Sequence, residues 1–185
     1  HALIPDRPSD AEAGVHMAER SPDIAQIRPR RGGEPGLRRL MQAEFGLDLP
    51  DPGRTTSEGA LTILSLGPHN WLVLDRHGRP GGLAVSLGHA AGETASVVDL
   101  SSAFGVLRLS GAKARLALSK GCRLDLHPRL FEKGQLACTL MAQIPVVLHQ
   151  VSDEPAYDLL APSSLAQAFA EFVVESAAEY GLRLD

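Results

Sequence analysis

The stretch VVDLSSAFGVLRLSGAKARLALSKGCRLDLHP, Val97–Pro128, decides how the chain is read. Two short apolar runs, Val97–Leu100 and Val106–Leu109, flank the polar pair Ser101-Ser102. In the second run Val106, Arg108 and Ser110 alternate with Leu107 and Leu109, the period of a half-buried strand. Gly111 then opens a helical run over about 112–121, with Ala114, Leu118 and Cys122 on one side, and Leu124-Asp125-Leu126 closes the unit. The stretch holds no nucleophile–base pair, no metal-ligand spacing and no phosphate loop. Its residues specify a fold rather than an activity.

Upstream, residues 1–14 are polar, carry Pro5 and Pro8, and read as a flexible lead-in. Extended runs follow at 15–19 and 24–28. Leu37, Leu40, Met41 and Phe45 then share one helix face, with Gly46 as the stop. Residues 51–59 read as a polar loop. Two strands, 60–66 and 71–75, are joined by the turn Gly67-Pro68-His69-Asn70 into a hairpin. A short helix at 83–90 and a strand at 95–100 complete the first half. Downstream of the opening stretch, strands are expected at 136–143, 144–151 and 156–161, with Pro145 tolerable only at a strand start or edge. The last helix carries Ser164 and Gln167 at capping-box spacing and the stripe Leu165, Phe169, Phe172, Val173, Ser176, Tyr180.

The halves overlay at a constant offset of 77 residues: Leu47-Asp48-Leu49 on Leu124-Asp125-Leu126, Thr62 on Thr139, Pro68 on Pro145. The expected class is therefore α+β: antiparallel sheets with helices packed on one face, in two similar strand–helix–strand–strand–helix halves. The expected division is a lead-in at 1–14 and halves at 15–100 and 101–185.

Composition narrows the function classes. Apolar residues make 44% of the 185, charged residues 22% and aromatics only 4%, so the core is expected to be aliphatic. A net charge of −4 argues against a general nucleic-acid binder, which needs a basic face. No apolar run approaches the roughly 20 residues of a membrane helix. Two cysteines outside a CxxC pattern, with no apolar signal core ahead of them, suggest reduced thiols in a cytoplasmic protein.

Few side chains offer chemistry. Asp99-Leu100-Ser101-Ser102 could be a site aspartate with a supporting serine; composition favours a turn, where Asp and Ser bond nearby backbone N–H groups. Cys122 with His127 could form a thiol–imidazole pair, but Cys122 continues an apolar helix face and reads as a buried inert thiol. Cys138, between Leu136 and Leu140, reads the same way. The seven histidines make neither HxH nor HExxH, and Gly67-Pro68 and Gly81-Gly82 make no nucleotide-binding loop. Arg28, Arg30, Arg31, Arg38 and Arg39 form a basic cluster: a solvated face by default, a docking surface for an acidic partner as the sharper reading. Trp71 is read as a core anchor, with an interface role as the lesser reading. No residue is assigned as catalytic, cofactor-binding or metal-ligating.

Several segments carry a family resemblance: Phe45-Gly46-Leu47-Asp48-Leu49-Pro50, Leu66-Gly67-Pro68-His69-Asn70-Trp71-Leu72-Val73-Leu74, Val98-Asp99-Leu100-Ser101, Leu107-Arg108-Leu109-Ser110-Gly111 and Lys120–Pro128. With Ala137-Cys138-Thr139 and Ala177-Ala178-Glu179-Tyr180-Gly181, they make the chain resemble, from Val15 to Gly181, the gamma subunits of heterotetrameric sarcosine oxidases. Asp99-Leu100-Ser101 followed by a strand ending in Gly111 is more loosely similar to the folate-binding aminomethyltransferase-like proteins.

The resemblance implies a non-catalytic subunit of a cytoplasmic assembly with alpha, beta and delta subunits, and possible pairing of the isolated chain with itself. The assembly would demethylate sarcosine oxidatively to glycine, yielding hydrogen peroxide and formaldehyde or 5,10-methylenetetrahydrofolate. It implies FAD, FMN, NAD and tetrahydrofolate on the alpha and beta subunits, zinc on delta, and no cofactor on this chain. The alternative is a module that itself binds folate, with Asp99 as the carboxylate facing the pterin. Where the family is expected to carry Arg-Ser at the start of the last helix, this chain has Pro162-Ser163, which suits a helix start but removes an arginine contact.

Overall fold

The computed structural model describes residues 13–185. Its elements run β1 (Val15–Arg20), β2 (Asp23–Pro29), α1 (Glu34–Phe45), β3 (Thr55–Glu58), β4 (Leu61–Gly67), β5 (Asn70–Asp75), α2 (Gly82–Ala91) and β6 (Ala95–Asp99). They continue with β7 (Phe104–Ser110), α3 (Ala114–Ser119), β8 (Leu136–Met141), β9 (Ile144–Gln150), β10 (Ala156–Pro162), α4 (Ala166–Ala177) and β11 (Leu182–Leu184). Two compact units result. One is Ser21–Ser102; the other combines residues 13–20 with Ala103–Asp185.

In the Ser21–Ser102 unit the strand order is β3-β4-β5-β2-β6, antiparallel throughout. Ala25 and Ile27 from β2, Ile63 from β4 and Trp71 and Val73 from β5 point to one face. Leu37 and Met41 of α1 and Leu83, Leu87 and Ala91 of α2 cover that face. The helix α1 is specified locally. Pro35 sits in its first turn, and Leu37 and Met41, one turn apart, are fully buried. Gly46 takes a left-handed φ of 66°, and its N–H donates to the Gln42 carbonyl. Trp71 is a core residue: it is 2% exposed, its Nε1–H donates to the Pro50 carbonyl at 3.0 Å, and the Arg38 guanidinium lies 6.0 Å from the ring centroid.

The other unit has the order β11-β1-β7-β10-β9-β8. Its core gathers Val15 and Met17 of β1, Leu107 and Leu109 of β7, Leu148 of β9 and Tyr157 and Leu159 of β10. Phe169, Ala170, Val173 and Val174 of α4 and Ala114, Ala117 and Leu118 of α3 pack on them. The β1–β11 pair is parallel, an exception to the antiparallel scheme.

The structure corrects several expectations. Residues 55–58 form β3 rather than loop, a polar edge strand without an apolar signature. The strand β1 pairs with β7 and β11, so it belongs with 103–185 rather than with a 15–100 half. The lead-in at 1–14 lies outside the described residues up to 12; Gly14 is tied down, its N–H donating to the Tyr180 carbonyl at 3.0 Å. The capping box does not form: a 3₁₀ turn, Ser163–Leu165, precedes α4, no side chain caps it, and Gln167 bonds Glu171 instead. Leu165 is 39% exposed and leaves the stripe. The strand β11 (Leu182–Leu184) is a further element that the expected series lacks.

The internal repeat is one of topology. The order β3-β4-β5-β2-β6 of the first sheet is matched by β8-β9-β10-β7-β1 of the second. The place next to the opening strand is filled by β6 in one sheet and by β1, from the start of the chain, in the other. The offset of 77 aligns both Leu-Asp-Leu segments after their helices, but then lays β4 on β8. That is one strand out of step, because β3 had no place in the alignment.

Candidate functional site

The Asp99–Ser101 segment follows β6 and meets the start of β2. Asp99 is exposed, and its Oδ1 accepts from the Ser101 N–H at 3.0 Å and the Ser101 hydroxyl at 2.7 Å. Those two bonds hold its carboxyl below the ordinary range. This is the turn reading, closed locally. Beside it lies a residue the sequence did not flag. Asp23 is fully buried, and its Oδ1 accepts from the Gly81 N–H at 3.0 Å and the Ser101 hydroxyl at 2.6 Å. Its Oδ2 accepts from the Leu83 N–H at 2.7 Å. Asp23 thereby caps α2 from a neighbouring strand, supplying the acceptor that Gly81 cannot. Ser101 has one hydroxyl proton facing two carboxylate oxygens, and its Oγ also accepts from the Ile24 N–H at 3.0 Å.

The chemistry of this cluster is structural. The start of α2, where N–H groups would hold an anion, is already filled by an internal carboxylate. The Asp99 oxygen nearest the turn is committed to Ser101. Asp99 itself stays exposed beyond the turn that it closes.

The thiol–imidazole pair does not form. Cys122 lies in the apolar core, where burial pushes its thiol up, and His127 is exposed with its Nδ1 accepting from the Arg129 N–H at 3.2 Å. Cys138 is exposed rather than buried, because β8 is an edge strand and the side chain lies on the face away from the helices. No group of three His, Cys, Asp or Glu side chains able to hold a metal occurs among the described residues.

The basic cluster divides. Arg38 is structural: it bonds Glu34 at 2.9 Å and the Leu49 carbonyl at 2.7 Å. Glu34 also pairs with His69 in the β4–β5 turn; with Arg38 the larger influence, its carboxyl is lowered. Arg28 donates to the Asn70 side-chain oxygen, and Arg30 lies 3.6 Å from Glu93. Arg31 is exposed, and Arg39 lines a separate open groove of about 630 Å³ with Glu44 and His89.

A polar row across the other sheet escaped the sequence reading. Asp158 of β10 lies opposite Arg108 of β7 on one side and His149 of β9 on the other. Arg108 grips both Asp158 oxygens, Nε to Oδ1 and Nη2 to Oδ2, each at 2.7 Å. His149 is 6% exposed, and burial lowers its pKa to about 4. The imidazole is therefore neutral at neutral pH, beside the Arg108–Asp158 pair. No spacing in the sequence pairs residues 108, 149 and 158; only the strand register does.

The model of the sarcosine oxidase, gamma subunit family matches residues 32–179. The gamma subunit of sarcosine oxidase from Arthrobacter sp. is 37% identical over 123 residues, 64% of this chain and 59% of that protein. The gamma subunit from Corynebacterium sp. (strain P-1) is 35% identical over 119 residues, 64% of this chain and 57% of that protein. The match thus spans somewhat over half the length of these relatives. Among solved structures, a chain of the heterotetrameric sarcosine oxidase from Corynebacterium sp. U-96 superposes with a TM-score of 0.80 at 28% identity, covering 93% of this chain and 88% of that one. The glycine cleavage system aminomethyltransferase T from Bartonella henselae shares the fold, with a TM-score of 0.69 at 15% identity over 94% of this chain and 48% of that one.

Proposed function

The chain belongs to the sarcosine oxidase gamma subunit family, and from that membership we propose that it is a non-catalytic subunit of a heterotetrameric sarcosine oxidase. Its part in the oxidative demethylation of sarcosine is to build a surface on which the catalytic subunits assemble. The superposition over 93% of this chain and 88% of the Corynebacterium chain carries this reading. In this proposal flavins, NAD, tetrahydrofolate and zinc reside on the alpha, beta and delta subunits.

Co-expression with those subunits, one of them tagged, tests the proposal. The chain is expected to co-purify in equimolar amount. Alone it is expected to give no sarcosine-dependent peroxide and no flavin absorbance. Flavin binding or sarcosine oxidation by the isolated chain would overturn the reading, as would a fully assembled, stable oxidase formed without it.

A further inference from the structure

We propose that the open edge of β8 receives an extended, uncharged segment of another subunit, which adds a strand to the six-stranded sheet and seats apolar side chains in the cleft beside it. This rests on the subunit reading above.

The strand β8 ends the order β11-β1-β7-β10-β9-β8, and its ladder is with β9. On its outer side the structure records a single bridge, Cys122 to Met141, at its last residue. From Leu136 to Leu140 the outer edge forms no ladder among the described residues, and an edge of this kind is a template for another strand. Proteins ordinarily blunt such edges with charge, proline, bulges or shortness. The other edge strands here follow that practice: β3 has four residues and Glu58, β6 ends in Asp99, and β11 has three residues and Arg183. Among the described residues β8 alone of these edges, LACTLM over six residues, carries no charge, and it has no proline.

Alternation along β8 gives the edge an apolar flank. Met141 is fully buried and Ala137 packs against the helix-side core. Cys138 and Leu140, on the opposite face, are exposed, Leu140 by 45%. They border an open cleft of about 380 Å³ lined also by Phe104, Pro145, Leu160 and Pro162, with no charged residue in its lining. A charged side chain would lose hydration there without a partner.

These features select the occupant. Backbone hydrogen bonds along the edge demand an extended segment, and the cleft demands apolar side chains. A second copy pairing through its own β8 would prolong the sheet in its plane. The cleft reaches back across β9, β10 and β7, and such a copy would leave it uncovered. A segment that pairs with β8 and then turns over the face satisfies both.

The exposed Cys138 provides the probe, with buried Cys122 as internal control. Cys138 is expected to react with a maleimide in the isolated chain and to be at least tenfold slower in the purified assembly. Amide exchange over 136–140 is expected to slow at least tenfold on assembly. Leu140→Lys is expected to cut recovery of the chain with the tagged partner at least tenfold, with the melting temperature of the isolated variant within a few degrees. The proposal fails if the chain assembles while Cys138 and those amides stay as reactive as before. It also fails if the isolated chain is a dimer with Cys138 already protected. A wild-type chain that does not assemble overturns the subunit reading itself, and the two failures are thereby told apart.

Discussion

Asp23 shows how one side chain can hold several parts of a chain in register. It joins the start of β2, the N-terminus of α2 and the turn after β6 through three donors. Asp23→Ala would leave two buried or half-buried N–H groups and a hydroxyl without that acceptor, costing about 2–4 kcal/mol. Asp23→Asn keeps an acceptor oxygen and should recover part of the loss; urea unfolding of both variants measures the difference. His149 makes a second, pH-dependent prediction. Its folded pKa of about 4 lies below the ordinary 6.5, so the unfolded chain binds the extra proton between those values. The stability it contributes is full above pH 6.5 and is lost as the pH falls to about 4, by about 3 kcal/mol at most. Unfolding midpoints at pH 7 and 4.5 should differ in the native chain, and His149→Leu should flatten that part of the profile. Asp99 and Glu34 have lowered carboxyl pKa values, so their contributions are lost only as the pH falls through and below the carboxylate range. At this scale the sequence was legible where a contact is local: Asp99 and Ser101 are two residues apart, and the turn reading needed nothing else. Asp23 with Ser101, and His149 with Asp158, are joined by strand register, which no spacing announces.

Among the elements, strong periodicity was readable and edge geometry was not. The helix α1 could be foreseen from Leu37, Met41 and Gly46 because burial and the left-handed stop leave marks in sequence. Gly46→Ala is expected to cost about 1 kcal/mol by forcing a Cβ into that conformation. Gly121→Ala should cost more, roughly 1–3 kcal/mol, since a Cβ there would stand 2.2 Å from the Phe172 ring. Thermal melts of the two variants rank them, and equal losses would contradict the packing argument. In contrast, Thr55-Thr56-Ser57-Glu58 has no apolar alternation because β3 is a solvent-facing edge, so it reads as loop and the 77-residue overlay runs one strand out of step. The exposure of Cys138 has a related cause. Alternation identifies a face of β8 but does not say that the face lies open where the strand ends the sheet. The helix α4 was placed from its stripe, yet its first turn tightened to 3₁₀ after Pro162 and displaced both the cap and Leu165.

Taken whole, the chain divides into units whose closure differs. All five strands of the Ser21–Ser102 sheet come from one continuous segment. The other sheet needs β1 between β7 and β11, with Val15 and Met17 fully buried. A fragment of residues 21–102 is therefore expected to fold by itself, with dispersed amide resonances. A fragment of residues 103–185 should remain loosely packed until a peptide covering residues 13–20 is added. A cooperative melt of the second fragment without that peptide would contradict the scheme. The same threading imposes an order on biosynthesis. As the polypeptide leaves the ribosome, β1 emerges before its partners β7 and β11, while the segment after it can condense at once. At ordinary elongation rates, about ten seconds of further translation pass before the residues through β11 are made. During that interval the nascent chain carries an uncommitted strand tethered to a finished body, which is when a chaperone would have something to hold.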